Sequence, residues 1–265
     1  MIPARRSEPF MRFFECYVSR YIRRRFHRVY LWGGPRAVAV PAGVPALFVM
    51  SHSAWWDVLV GYYLSRRLIR RESYAPMDEA QLRRYPVLAR IGVYSLDRFS
   101  VGGVRAFLRY TTALLRGERA VWITPQGEIA SGWRRPVRFQ PGVGHLVRRV
   151  GRLAVIPVAM AYEFGEEPRA DIFIKFGPPR LFGQPRADAE AITRILEGDL
   201  EAGLDALQGS VRAGDRTPFT VLLEGATSVS LVYDGLRRLR AWVTGRPDPR
   251  RHGDLVSDPR RAGVR

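Results

Sequence analysis

Ala46-Leu47-Phe48-Val49-Met50-Ser51-His52-Ser53-Ala54-Trp55-Trp56-Asp57 runs from an apolar stretch through a polar turn towards a helix. Ala46–Met50, bounded upstream by Pro41 and Pro45, reads as a strand. Ser51 and Ser53 can each supply a helix N-cap, so a helix is expected from Ala54 to about Arg70. A polar turn where a strand hands over to a helix is where α/β domains gather functional groups.

The pattern repeats downstream. Short strands are expected near Ser73–Met77, at Val93–Leu96 and at Ala120–Thr124, separated by helices over Glu79–Ala89 and from about Gly103 to Leu115. A loop rich in Gly, Pro and Arg spans 125–141, and a short helix then precedes strands at Ala154–Ala159 and Asp171–Phe176. Strands alternating with helices of about ten residues predict an α/β domain with a largely parallel sheet flanked by helices.

Upstream, residues 8–31 read as one helix. Phe10, Phe14, Tyr17 and Tyr21 share a face, and Arg12, Arg20, Arg23, Arg24, Arg25 and Arg28 lie largely off it. Such a helix suits a lipid headgroup interface, or equally a surface helix packed on its own domain. Gly33, Gly34 and Pro35 end it. The expected organisation is a basic amphipathic helix (1–35), a core (36–180), a helical extension (181–244) and a disordered tail (245–265). Within the extension, 186–209 and Val229–Val243 read as helices.

Forty-three Lys+Arg against twenty-five Asp+Glu give a net charge of +18, and Lys175 is the only lysine. Such a surface attracts anionic lipid, nucleic acid and acidic proteins alike. No helix-turn-helix, zinc or RNA-recognition pattern accompanies the charge, so specific nucleic-acid binding is not expected. Cys16 is the sole cysteine, which excludes an internal disulfide and a multi-cysteine metal site. Only four histidines occur, none of the others close to His52 in sequence, so no metal site is expected; His27 and His145 read as structural or solvent-facing. No apolar stretch approaches the roughly 20 residues of a membrane span, and no secretory leader is evident. The expectation is a cytoplasmic protein held peripherally on the inner face of a membrane.

Four blocks could carry chemistry. His52 with Asp57 five positions on makes a sound general-base arrangement, because a carboxylate fixes the ring tautomer and stabilises the imidazolium. Arg98, ending Gly92-Val93-Tyr94-Ser95-Leu96-Asp97-Arg98, can hold phosphate or carboxylate with both arms of its fork, or simply close the strand as an ion pair. Thr124-Pro125-Gln126-Gly127-Glu128 is a tight turn whose N–H groups can meet an oxyanion or a polar headgroup, or serve only the turn. Val155-Ile156-Pro157-Val158 is a proline-bearing strand, which of itself suggests an edge or a bulge. Trp55 and Trp56 read as core or as pocket walls.

In that order and spacing, the four blocks resemble the PlsC-type glycerolipid and lysophospholipid acyltransferases. That family shows His-x4-Asp, a Gly-x-aromatic strand ending in Arg, a Phe-Pro-Glu-Gly turn and a Val-Pro strand. The resemblance covers about residues 40–180, and Phe139, Gly142 and Gly177-Pro178-Pro179 also fit it. It implies His52 as general base and Asp57 as its orienting partner. An acceptor hydroxyl would attack the acyl thioester directly, without Cys16. Arg98 and the turn at Gln126, Gly127 and Glu128 would bind the acceptor's polar head, and Pro157 would mark a strand near the donor site. The donor would be acyl-CoA or an acyl carrier protein, with no cofactor. The third block departs from the family: Gln126 replaces a Glu, and Ile129 stands where an Arg is usual. The acceptor is therefore either a lysophospholipid or a neutral lipid such as a glycolipid or carotenoid glycoside. A non-catalytic lipid-binding relative is the third reading.

Overall fold

The computed structural model describes residues 1–69, 71–183 and 187–225. Its elements in chain order are α1 (Glu8–Arg25), β1 (Arg28–Trp32), β2 (Ala46–Met50), α2 (Asp57–Arg67), β3 (Ser73–Asp78), α3 (Glu79–Arg84), β4 (Val93–Leu96) and α4 (Val101–Arg116). Then follow β5 (Ala120–Ile123), α5 (Gly142–Val150), β6 (Leu153–Glu163), β7 (Asp171–Phe176), β8 (Arg180–Phe182), α6 (Ala189–Arg212) and β9 (Phe219–Glu224). The helix expected at Val229–Val243 and the tail from 245 lie outside the described residues.

Nine strands form one mixed sheet in the order β4-β3-β5-β2-β6-β7-β1-β9, with β8 beside β6. Pairs β4–β3, β3–β5, β5–β2, β2–β6 and β7–β1 are parallel; β6–β7, β6–β8 and β1–β9 are antiparallel. This is the α/β class with a mostly parallel, helix-flanked sheet. The central strand β2 is buried at every position. Alternation along it sends Ala46, Phe48 and Met50 to one face, with Val18, Ile22, Val60 and Leu64 of α1 and α2. Leu47 and Val49 go to the other, with Phe107, Leu146 and Leu196 of α4, α5 and α6.

That layering positions the site. From β2 the chain leaves through α2 on one face, and from neighbouring β5 it leaves through the loop to α5 on the other. Adjacent parallel strands whose connections diverge open a crevice at their carboxyl ends. β3 and β4 end on the same edge.

Several expectations are corrected. The first helix stops at Arg25, and residues 28–32 become β1, because Val29, Tyr30 and Leu31 pair with β7 and β9 and bury there. A proline splits the helix expected over Glu79–Ala89: α3 ends at Arg84 and Pro86–Ile91 form a 3-10 turn. α2 begins at Asp57, not Ala54, and neither serine caps it; the Ser51 hydroxyl instead accepts the Met160 N–H at 3.0 Å. Pro157 occupies neither an edge nor a bulge. Its carbonyl accepts the Gly177 N–H at 2.9 Å, so its missing N–H also faces the gap between β8, paired as far as Val155, and β7, paired from Val158. No ladder partner there requires a donor.

Candidate active site

Asp57 opens α2, where the aligned peptide dipoles favour a carboxylate, and it is wholly buried. A buried charge is tolerable only when its lone pairs are matched, and Asp57 accepts four hydrogen bonds. Oδ2 takes the backbone N–H groups of Ser53 (2.6 Å) and Ala54 (2.8 Å) and faces His52 Nδ1 at 3.0 Å. Oδ1 takes the Tyr162 hydroxyl at 2.5 Å. The carboxylate thus folds the 52–57 turn around itself, which is why five residues suffice to bring ring and acid together.

With Asp57 ionised, Nδ1 of His52 carries the proton and Nε2 presents a lone pair. The ring's side chain keeps 16% of its surface exposed. Burial and the neighbouring Asp57 charge hold the Tyr162 phenol well above its usual range, so it stays a neutral donor. A second pair, His27 Nδ1 with Asp171 Oδ1 at 3.0 Å, offers a contrast. There both side chains are nearly enclosed, and burial pushes the Asp171 carboxyl up. Nε2 of His27 is shut in the interior without a partner among the described residues.

The other predicted residues reach the same edge. The Gln126 side-chain oxygen accepts the His52 backbone N–H at 2.8 Å, and the Ala130 N–H returns a 2.8 Å bond to the His52 carbonyl. The Glu-to-Gln change therefore keeps an acceptor at that point while removing a charge. Gly127, at φ +75°, closes the turn by donating to the Thr124 carbonyl; a left-handed residue there favours glycine. Exposed Arg98 donates to the Gly127 carbonyl and lies 4.8 Å over the Phe99 ring. Glu128 pairs with Arg134 at 3.3 Å. Trp56 packs into the core against Phe26, while Trp55 faces solvent. His145 is exposed on α5.

Residues 36–161 match a family model described as Acyltransferase. These residues are an acyltransferase-family domain. The fold is similar to the crystal structure of the 1-acyl-sn-glycerophosphate (LPA) acyltransferase, PlsC, from Thermotoga maritima, with a TM-score of 0.53. Identity is 15%, and the likeness covers 75% of this chain and 80% of that one; at that identity it speaks for the fold. Comparison with curated proteins gives no match.

Two parts of the site come from beyond the matched acyltransferase-family domain, and sequence reading missed both. Tyr162 follows the last matched residue; β6 continues past its last β2 pair, Met50↔Val158, and so carries Tyr162, four residues on, to Asp57. No local pattern announces a contact between residues 105 apart. The second part is α6, which clasps the loop after β5. Glu197 accepts the Phe139 N–H (2.7 Å), Glu201 the Val137 N–H (2.6 Å) and Asp205 the Arg135 guanidinium (2.6 Å), while Gln208 donates to the Gly132 carbonyl (2.8 Å). Here a signal existed: acids at 197, 201 and 205 recur every four residues and share one helix face.

Proposed function

We propose that this chain transfers a fatty acyl group from an acyl thioester, acyl-CoA or acyl carrier protein, to a hydroxyl of a lysophospholipid or related glycerolipid. The observation that carries the reading is the His52–Asp57 pair at 3.0 Å, held at the open edge of an acyltransferase-family domain. Nε2 of His52 takes the acceptor's hydroxyl proton as its oxygen attacks the thioester carbonyl. The tetrahedral intermediate collapses, the C–S bond breaks, and the imidazolium returns the proton to the leaving thiolate. Asp57 stabilises the imidazolium between these steps. Arg98 and the Gln126–Glu128 turn hold the acceptor's head. No helix among the described residues is long and apolar enough to cross a membrane, and we place the protein peripherally on the cytoplasmic face.

One observation favours a neutral acceptor as the second reading. Arg134 is engaged by Glu128, and Ile129 supplies no cation, so Arg98 alone would meet a phosphate in the turn's vicinity. Both readings are tested by incubating the protein with acyl-CoA or acyl carrier protein and a panel of acceptors, followed by mass spectrometry. Acylated lysophosphatidic acid as the main product supports the first reading, and an acylated glycolipid the second. No acylated product from any donor and acceptor would leave a lipid-binding relative.

A further inference from the structure

α4 and α5 lie side by side on the sheet face opposite α1 and α2. In α5, Val143, Leu146, Val147 and Val150 are buried, while His145, Arg148 and Arg149 face solvent, followed by exposed Arg152 just past the helix end. α4 adds Arg105, Arg109 and Arg116, spaced to fall on one exposed side. Neither helix contains an Asp or Glu; Asp97 and Glu118 stand outside the two ends of α4. The acids of neighbouring α6 are already engaged: Glu190 by Arg194, Glu197 by Arg138, Asp199 by Arg180, Glu201 by the Val137 N–H and Asp205 by Arg135. Among the described residues, no carboxylate meets Arg105, Arg109, Arg116, Arg148, Arg149 or Arg152; Arg116 reaches only the Arg149 carbonyl.

Like charges gathered on one face repel each other, and a partner that brings carboxylates or phosphates relieves that repulsion. A lipid headgroup layer takes cations interleaved with apolar side chains. Beyond Val101, the first residue of α4, neither helix exposes a large apolar side chain. Nucleic acid would neutralise the arginines but bring nothing for the site to use. An acyl carrier protein is acidic and holds its acyl thioester at the end of a flexible arm. The two helices also lead to the site. α4 begins just after Arg98, and α5 begins directly after the loop that bonds both backbone groups of His52. The Arg98 side chain joins those approaches by donating to the Gly127 carbonyl.

Resting on the acyl-transfer reading, we propose that the α4–α5 face docks an acyl carrier protein. Carboxylates on the carrier pair with Arg105, Arg109, Arg148 and Arg149, and its arm carries the thioester past the Arg98–Gly127 contact to the His52 ring. Charge complementarity of this kind acts mainly on encounter and partner choice, so the face selects the carrier-bound donor. Acyl-CoA, with no protein to dock, makes no use of it.

The test uses the full chain and an Arg105→Glu/Arg148→Glu variant, with palmitoyl-loaded acyl carrier protein and palmitoyl-CoA as donors to an acceptor that the parent acylates. An Arg36→Glu/Arg84→Glu variant, altered at exposed positions away from both helices, matches the change in net charge. Calorimetry should show the parent binding the loaded carrier with an affinity that falls as salt is added. Arg105→Glu/Arg148→Glu should weaken that binding at least about tenfold and raise KM for the carrier-bound donor as much, with kcat and the kinetics on palmitoyl-CoA unchanged. The control variant should bind within about twofold of the parent. Equal weakening in the two variants would overturn the proposal, and so would an equal loss with palmitoyl-CoA. Carrier binding kept by Arg105→Glu/Arg148→Glu while its sedimentation with phosphatidylglycerol vesicles is lost would give the face to lipid and overturn it too. Transfer from palmitoyl-CoA by a parent that binds no carrier would sink the docking and leave the reaction standing. Carrier binding as expected, with no transfer from either donor, would uphold the docking face and sink the reaction.

Discussion

Four hydrogen bonds converge on the Asp57 carboxylate, and the one from Tyr162 comes from a different strand. Tyr162→Phe removes only that bond. A hydrogen bond to a charged group is worth about 1.5–3 kcal/mol, so stability should fall within that range. kcat should fall by roughly tenfold as Asp57 loosens its hold on the ring, with KM unchanged. A Tyr162→Phe protein that keeps the parent's kcat would remove Tyr162 from the positioning of the pair. Cys16 lies exposed on α1, and the proposed direct attack of the acceptor on the thioester would leave its thiol unused. Cys16→Ser should therefore transfer acyl groups at the parent rate.

At the scale of elements, what could be read from the chain depended on how locally each one is specified. β2, β4 and β5 are apolar runs closed by Pro, Gly or charged residues, and they appear within a residue of where the pattern places them. β1 and β9 could not be read so. Arg28–Trp32 continues the spacing of α1 and becomes a strand through pairing with partners about 140 and 190 residues away in sequence. The His52–Asp57 turn was legible because the acid organises its own neighbours; Tyr162 was not, because register alone brings it there. A further contact of this non-local kind joins the start of β3 to β5. Arg119 Nε donates to Glu72 at 2.8 Å and, with Arg6, holds the Glu72 carboxyl below 4.5. A depressed folded pKa means the stabilisation is present above the unfolded value and lost as pH falls through the folded one. Both side chains are well exposed, so screening limits the effect. Arg119→Ala should lower stability by less than about 1 kcal/mol at pH 7, and the gap from the parent should close as the pH falls far enough to protonate Glu72 in both proteins, measured by urea unfolding.

The whole molecule extends the site past the acyltransferase-family domain at 36–161. Residues of α6 hold the loop after β5 at four points, and that loop in turn bonds both backbone groups of His52 through Gln126 and Ala130. Glu201→Ala leaves the N–H of buried Val137 without its acceptor, which costs about 1–3 kcal/mol. Limited proteolysis should then cut within 125–141 sooner than in the parent, and kcat should fall. Unchanged cleavage and unchanged turnover would show that the loop holds its shape without the clasp.

The central claim is that the His52 imidazole, set by Asp57, takes the proton of an acceptor hydroxyl as that hydroxyl attacks a thioester. Acceptor-dependent thiol release from an acyl thioester, followed for the parent and for His52→Ala with matched thermal unfolding, tests it most directly. Loss of a general base predicts a fall of about 10²–10⁴-fold in a protein that unfolds like the parent. Thiol release by a folded His52→Ala protein at the parent's rate would contradict the account.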